Sequence, residues 1–257
     1  MRRVRVIPVL LIQNGGLVKS IKFKDYHYVG DPINAVKIFN EKEVDEIIIL
    51  DISATKDQKV PNIEQIKEIT GEAFMPLSYG GGITTLEEVK EILYQGAEKV
   101  ILNSSALTNL ALITEIAEQF GSQSAVVSID VKKDWRGNYK VYRSNGKKKT
   151  SFKPVEFAKS VEAAGAGEIM LNAIDKDGTY DGFDIELIKL VAEAVNIPVV
   201  ACGGASELND FTKAINEGEA SAVAAGSFFV FQRPLRAVLI SYPSQLKLKN
   251  EVYNKLK

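Results

Sequence analysis

Cysteine and histidine are scarce in this sequence, and its net charge is close to zero. Its 32 basic and 33 acidic residues leave a formal net charge of −1 at pH 7. No basic field therefore favours nucleic acid or an anionic membrane as a partner. The single cysteine, Cys202, excludes a disulfide framework within the chain, and we expect it to be a small core residue. Because His27 is the only histidine, we expect no metal site and no cofactor.

Long apolar segments are also missing. No stretch approaches the roughly 18 apolar residues that a membrane-spanning helix needs. The N-terminal segment 1–16, MRRVRVIPVLLIQNGG, begins with basic residues, but its apolar run is short and no small-residue cleavage site follows. This segment indicates a first strand with charged residues at its entry, and we expect a cytoplasmic protein without membrane contact.

Eight short runs rich in Val, Ile, Leu and Ala are present instead, and helical patterns fill most of the gaps between them. Apolar runs of this length are typical of parallel strands that are buried on both faces. We therefore predict an α/β protein in which residues 1–257 form a single (β/α)8 barrel domain. A doubly wound open sheet is the alternative, although such sheets usually have fewer strands. The runs occupy residues 4–12, 46–53, 75–81, 99–105, 125–131, 168–174, 198–204 and 220–227.

The sequence contains an internal repeat. SYGGGIT at 78–84 resembles ACGGASE at 201–207, and LNSSA at 102–106 resembles AGSFF at 225–229. The two pairs share one offset of 123 residues, from 78 to 201 and from 104 to 227. A shared offset indicates duplicated half-barrels. The duplication pairs the end of the first strand with the end of the fifth, so that Leu11 corresponds to Asp130.

Glycine, amide and hydroxyl residues follow four of the predicted strands. Glycine turns allow backbone N–H groups to approach an anion, and the loops after strands 7 and 8 are a common phosphate site in barrels. We predict two phosphate cups facing each other across the barrel mouth, suited to a ligand phosphorylated at both ends. Simple tight turns are the alternative. The first cup would contain Gly80, Gly81, Gly82, Asn103 and Ser104, and the second Gly203, Gly204, Gly226 and Ser227.

Two acidic positions and one acidic segment also lie at strand ends. Asp130 interrupts an apolar strand, where burial would raise its pKa towards general acid–base use, although a purely structural carboxylate is the alternative. Asp51 and the segment 175–179, DKDGT, would position loops or contact substrate hydroxyls.

Two segments between strands are predicted as surface features. Lys19 and an exposed His27 lie on a first loop that runs to about residue 31. A loop of this length predicts a mobile lid whose lysine closes over a phosphate, or else a solvated charge. Trp135 and the basic stretch 145–151 predict a solvated hairpin after strand 5.

Four charged residues lie at the N-terminal ends of strands 1, 2, 4 and 6. Two cations and two anions could close into a ring across the bottom of the barrel, and unconnected surface charges are the alternative. The four residues are Arg5, Glu46, Lys99 and Glu168.

The order of these motifs resembles the HisF family, the cyclase subunit of imidazole glycerol phosphate synthase. The resemblance runs from about residue 3 to about residue 240 and includes RVIPVLLIQNGGLVKS, LDIS, GGGI, KVILNSSA, AIDKDGTYDGFD and CGGA. It implies a HisH-type glutaminase docked on the N-terminal barrel face. Ammonia would pass through the barrel and react at the other end with a bis-phosphorylated ribulosyl aminoimidazole carboxamide nucleotide.

The resemblance also implies roles for individual residues. One catalytic aspartate falls on Asp130, the flexible-loop lysine on Lys19, and the ammonia gate on the four charged residues at the strand entries. The phosphate-binding positions fall on Gly81, Gly82, Asn103, Ser104, Asp177, Gly178, Gly203, Gly204, Gly226 and Ser227.

The sequence departs from the family at the substrate end. The second catalytic aspartate falls on Leu11, the residues at 13–16 are QNGG, and Tyr79 is expected near the interior of the mouth. The first hypothesis is an ammonia-conducting subunit of a glutamine amidotransferase that serves a third, amidating enzyme, as relatives in surface-polysaccharide pathways do. A genuine cyclase of histidine biosynthesis and an inert phosphate-ligand-binding scaffold are the alternatives.

Overall fold

Eight parallel strands close into a barrel in the computed structural model, which describes residues 4–257; the basic residues Arg2 and Arg3 lie outside it. Each strand pairs in parallel with its chain neighbour, and β8 pairs with β1 to close the ring. The predicted (β/α)8 fold is therefore confirmed, and the open-sheet alternative is wrong. The strands are β1 (Arg5–Gln13), β2 (Ile47–Asp51), β3 (Leu77–Gly80), β4 (Lys99–Leu102), β5 (Ala125–Lys133), β6 (Glu168–Ala173), β7 (Val199–Cys202) and β8 (Ala222–Ala225).

Helices surround the barrel and start with recognisable caps. Asp31 accepts a hydrogen bond from the Asn34 N–H at 2.9 Å, and Pro32 occupies the first turn that follows. The eight outer helices are α1 (Pro32–Glu41), α2 (Ile63–Glu72), α3 (Leu86–Tyr94), α4 (Ala111–Phe120), α5 (Pro154–Ala163), α6 (Ile185–Ala192), α7 (Leu208–Asn216) and α8 (Gln245–Glu251). Shorter helical segments are Ala54–Asp57, Ser122–Ser124, Ser227–Val230 and Tyr253–Lys255. Within residues 4–257, no helix combines the length and the apolar character that crossing a membrane requires.

Strand alternation divides the apolar side chains into two cores. One core fills the barrel and includes Ile7, Ile48, Ile101 and Met170. The other lies between the strands and the helices, and Phe39, Phe157 and Phe211 are among its fully buried side chains. Burying each such side chain stabilises the fold by about 1.5–3 kcal/mol.

Tyr79 belongs to the outer of these cores. It lies between Ser78 and Gly80 on β3, and Ser78 faces the barrel interior, where its hydroxyl donates to Glu46 Oε1 at 2.8 Å. Tyr79 therefore points the other way and packs with the helix-facing core. Burial raises the pKa of its hydroxyl, and the charge of Asp51 adds to the effect. The prediction that Tyr79 stands near the interior of the mouth is wrong because of this alternation.

Antiparallel hairpins extend β1 and β5 beyond the barrel. The strands Gly16–Ile21 and Lys24–Gly30 follow β1, so the predicted long first loop is wrong; His27 lies exposed on this hairpin as expected. After β5, Tyr139–Arg143 pairs with the end of that strand, and Lys148–Lys149 follows. The same extension at β1 and β5 agrees with the internal repeat.

Candidate functional site at the barrel mouth

A cavity of about 380 Å³ opens at the C-terminal ends of the strands. It brings together many of the residues that the sequence singled out, whereas the glycines after β7 and β8 lie beside it and outside its lining. The sequence-predicted residues that line it are Leu11, Lys19, Asp51, Gly80, Gly81, Gly82, Asn103, Ser104, Asp130, Asp177 and Cys202.

Asp130 is the buried carboxylate of this cavity. Burial raises its pKa to about 7; hydrogen bonds from Asn103 and Ser128 lower it, and the charge of Asp177 raises it further. Asn103 Nδ2 donates to Asp130 Oδ2 at 3.1 Å, and Ser128 Oγ donates to Oδ1 at 3.4 Å. A carboxyl with a pKa near 7 is able to give and take a proton at neutral pH. The structure thus supplies the burial that the sequence-based hypothesis required.

The raised pKa predicts that ionisation of Asp130 destabilises the fold. The folded chain holds the proton more tightly than the unfolded chain, so the free energy of unfolding should fall as pH rises from about 4 to about 7. Because one pKa unit is about 1.4 kcal/mol, Asp130→Asn should be more stable than the parent by about 2–4 kcal/mol at pH 8. The difference should disappear towards pH 4. Denaturant unfolding across this range measures it, with the exposed Asp181→Asn as control; a difference that does not vary with pH would contradict the prediction.

Leu11 occupies the equivalent position on the strand opposite β5. It is 8% exposed, lines the same cavity, and belongs to the interior apolar core with Val9, Val18 and Ile101. One wall of the mouth therefore carries a titratable carboxyl, and the equivalent position on the facing strand carries an alkyl group.

Lys19 is buried at the mouth rather than solvated. It is 4% exposed, and its ammonium lies 3.5 Å from Asp177 Oδ1. Asp177 also accepts a hydrogen bond from Ser20 Oγ at 3.1 Å. The solvated-charge alternative for Lys19 is wrong because the hairpin that carries it folds over the barrel end.

The first cup, which consists of Gly80, Gly81, Gly82, Asn103 and Ser104, lies within the cavity. Asn103 has a structural task there, since its amide also donates to the Ser128 carbonyl at 2.9 Å. Asp51 positions the adjoining loop: its Oδ1 accepts from Ser53 Oγ at 2.6 Å and from two backbone N–H groups. Phosphate binding by this cup stays a prediction.

At Gly81, the backbone of the first cup closely approaches the backbone of Asp51. Its φ is +123°, and a Cβ atom would lie 2.3 Å from the Asp51 carbonyl oxygen. Gly81→Ala should lower the free energy of unfolding by about 1–3 kcal/mol. Gly71→Ala is the matched control, because a Cβ there meets open space near the end of α2 and should stabilise the helix by about 0.5–1 kcal/mol. Denaturant unfolding measures both variants. Equal changes in their free energies of unfolding would contradict the close approach at Gly81.

The second cup, which consists of Gly203, Gly204, Gly226 and Ser227, and the neighbouring Gly178 are tightly packed in the same way. A Cβ on Gly204 would lie 2.2 Å from the Gly182 carbonyl oxygen, and one on Gly178 would lie 2.4 Å from the Ser20 carbonyl oxygen. Ser227 Oγ is buried and has no hydrogen-bond partner among the described residues. A buried hydroxyl of this kind is a free donor for a ligand oxygen.

Three mouth residues were not singled out by the sequence analysis. Asn172 lies inside apolar β6 and lines the cavity with its Oδ1 buried and unpartnered among residues 4–257; a polar residue within an apolar strand was the available signal. Tyr26 also lines the cavity, and burial together with Asp177 and Asp130 raises the pKa of its hydroxyl. Asn145 donates to the Ile52 carbonyl oxygen at 2.8 Å, so the hairpin predicted to be solvated reaches the mouth at this residue. No sequence signal indicated that contact.

The charge ring, which consists of Arg5, Glu46, Lys99 and Glu168, closes the opposite end of the barrel. Arg5 Nη1 lies 2.5 Å from Glu46 Oε2, and Arg5 also pairs with Glu168. Lys99 Nζ lies 3.1 Å from Glu46 Oε1 and 3.0 Å from Glu168 Oε2. Each cation thus contacts both anions.

The ring keeps the buried Glu168 ionised. Burial alone would raise the pKa of Glu168, but hydrogen bonds and charge from Arg5 and Lys99 outweigh burial and lower it. Cys202, inside the barrel, shows the contrasting case, in which the charge of Lys19 and a backbone hydrogen bond from Gly203 are too weak to offset burial. Burial raises its pKa to about 12, so its thiol stays protonated at neutral pH.

Comparison with known proteins fits this arrangement. A family model described as "Histidine biosynthesis protein" matches residues 5–233. A relative from Pseudomonas aeruginosa, provisionally named imidazole glycerol phosphate synthase subunit hisF2, is 53% identical over 248 residues, which are 96% of this chain and 99% of that protein. The chain is a member of the HisF family.

Other relatives of this HisF-family chain span similar lengths. A Leptospira interrogans protein, also provisionally named imidazole glycerol phosphate synthase subunit HisF, is 46% identical over 95% of this chain and 97% of its own length. An Alkaliphilus metalliredigens protein named imidazole glycerol phosphate synthase subunit HisF is 43% identical over 88% of this chain and 89% of its own length. The family resemblance inferred from the motifs is confirmed.

Proposed function

We propose that this chain is the barrel subunit of a glutamine amidotransferase, and that it receives ammonia at the charge ring and delivers it to the mouth. The observation that carries the proposal is the contrast between the two ends. All four residues of the charge ring are present and interlocked, whereas the mouth has a carboxylate on one wall and Leu11 on the other.

The barrel interior is suited to a neutral passenger. Between the ring and the mouth lie apolar side chains that include Ile7, Ile48, Val126 and Met170. An ammonium ion would lose its hydration there at high cost, whereas neutral ammonia would lose far less. Passage requires the ring to open, because its four side chains contact one another across the barrel axis.

Leu11 removes one of the two proton-transfer groups that the family resemblance assigns to cyclisation. An alkyl group neither donates nor accepts a proton, and a positioned acid–base group typically contributes about 10²–10⁴-fold to a rate. We therefore propose that the ammonia serves a third protein, an amidating enzyme of surface-polysaccharide biosynthesis that acts on an acetamido sugar. This acceptor follows from the resemblance to specialised relatives and not from the geometry of the mouth.

Glutaminase stimulation is the direct test. A HisH-type glutaminase should hydrolyse glutamine faster in the presence of this chain, and the Arg5→Ala variant should stimulate it less. The exposed Arg136→Ala variant is the control. Equal rates of glutamine hydrolysis with and without the chain would contradict the proposal and would favour the inert-scaffold hypothesis.

A genuine cyclase of histidine biosynthesis is the second candidate. It is favoured by the raised pKa of Asp130 and by the unpartnered Asn172 and Ser227 atoms, which suit a polar ligand. Complementation of a histidine auxotroph that lacks its cyclase decides between them. Growth would support the cyclase, and failure to grow together with glutaminase stimulation would support the ammonia-conducting subunit.

A further inference from the structure

A third hairpin lies outside the barrel, next to the second cup. Its strands are Phe231–Gln232 and Ala237–Val238, and its turn carries Arg233 and Arg236. Between this turn and the segment from Gly178 to Tyr180 lies a cavity of about 360 Å³, here called the arginine pocket. We propose that the arginine pocket binds the phosphate group of a small-molecule ligand, at a site separate from the two cups.

Both guanidinium groups lie over one aromatic ring. The Arg233 and Arg236 guanidinium carbons are 4.9 and 5.3 Å from the centre of the Tyr180 ring, and Arg236 is also 5.7 Å from the centre of Phe231. The ring faces attract the cations, but they do not neutralise them. Two like charges therefore contact the same ring, and both arginines line the pocket.

Neither arginine forms an ion pair with a carboxylate within residues 4–257. Arg233 donates to Ser206 Oγ at 2.8 Å and to the Ser206 carbonyl oxygen at 2.6 Å, and Arg236 donates to the Gly178 carbonyl oxygen at 2.7 Å. All of these acceptors are neutral. Arg236 is half-buried and Arg233 is exposed, so Arg236 is the cation whose partial loss of hydration favours a bound anion.

Arg236 also has a buried donor that lacks an acceptor. Its Nε is shielded from solvent and makes no hydrogen bond among the described residues. A guanidinium presents paired N–H donors that match the oxygens of a phosphate, and a phosphate dianion would balance both charges. The unpartnered donor is thus an observation independent of the charge count, and it points to the same class of ligand.

The size and position of the pocket define the ligand further. Its volume exceeds what a single phosphate fills, and the remainder is lined by Ile21, Pro234 and the Tyr180 ring. Tyr180 also donates from its hydroxyl to the Ser227 carbonyl oxygen at 3.2 Å, which joins the pocket wall to the second cup. The ligand is therefore a phosphorylated molecule with a small apolar or aromatic part, bound at the outer side of that cup.

Phosphate binding to the full-length chain tests the pocket. Titration calorimetry at constant ionic strength would use orthophosphate and pyrophosphate, with citrate as a carboxylate probe. The variants are Arg233→Gln and Arg236→Gln. Arg136→Gln is the matched control, because Arg136 lies 4.4 Å from the exposed Trp135 ring and so also loses one guanidinium–aromatic contact. Thermal unfolding of each variant identifies any loss of folding.

Each pocket variant should weaken one class of phosphate site by about 10-fold or more, and Arg136→Gln should leave all sites unchanged. If Arg236→Gln fails to fold, Arg233→Lys serves instead, because it keeps the charge and loses the paired donors. A crystal soaked in tungstate should show anomalous density between the two arginines. Any of three results would overturn the proposal. These are unchanged stoichiometry and affinity in the folded variants, tungstate density confined to the two cups, and tighter binding of citrate than of both phosphates.

Discussion

Leu11→Asp should raise ammonia-dependent turnover of the bis-phosphorylated nucleotide on the order of 10²-fold above that of the parent chain. The substitution places a second carboxyl on the cavity wall opposite Asp130, whose pKa of about 7 already suits proton transfer. We take the lower end of the usual contribution of an acid–base group because neighbouring residues 13–16 also depart from the family pattern.

Turnover should be measured with an ammonium salt as nitrogen source, so that the result does not depend on a glutaminase. Leu11→Asn is the matched control, because it has nearly the same shape as aspartate and does not titrate. Replacing a leucine that is only 8% exposed by a carboxylate should also cost about 2–4 kcal/mol of stability, so folding of each variant is checked first. Two results would contradict the proposal that Leu11 removes a proton-transfer group from the mouth. One is a parent chain that converts the nucleotide as fast as Leu11→Asp does, and the other is an aspartate variant that is no faster than the asparagine variant.

Glu46→Gln should lower the free energy of unfolding by about 3 kcal/mol. Glu46 is 3% exposed, contacts Arg5 and Lys99, and accepts from Ser78 Oγ. Neutralising it leaves two cations with Glu168 as their remaining anion in the charge ring. Removing one partner of a buried ion pair costs about 3–5 kcal/mol, and we expect the lower end because Arg5 is partly exposed.

Denaturant unfolding at pH 7 measures this effect, and Glu98→Gln is its control. Glu98 is exposed and lies beside Lys99 in the sequence, so its neutralisation should change stability by less than about 0.5 kcal/mol. Glu46→Gln should also stimulate a partner glutaminase less than the parent does. Equal stabilities of the two variants would mean that the ring is a set of independent surface charges.

Both predictions rest on the difference between the two ends of the barrel. The charge ring at the N-terminal end is held together by pairwise contacts that a single neutralisation disrupts. The mouth retains a buried carboxyl with a pKa of about 7, and Leu11 occupies the position where the family resemblance implies a second aspartate. An ammonia conduit that serves another enzyme needs the ring and an apolar interior, and it does not need a second proton-transfer group.

The sequence alone determined the strand order, the barrel and the family. Buried parallel strands require continuous apolar runs. The internal repeat aligns β1 with β5 and thereby pairs Leu11 with Asp130, which lies 119 residues later. Local residue types carry this information, because each strand must hide both of its faces. The positions of Asp130 and of the four ring residues at strand ends followed from the same reasoning.

Only the tertiary structure decided which way side chains point and which distant segments meet. Tyr79 faces the helices because its neighbour Ser78 faces the ring, and Lys19 is buried because its hairpin folds back over Asp177. Likewise, Arg236 meets Gly178 across 58 positions of sequence. Contacts of this kind depend on the relative placement of whole elements, and no local pattern of residues specifies that placement.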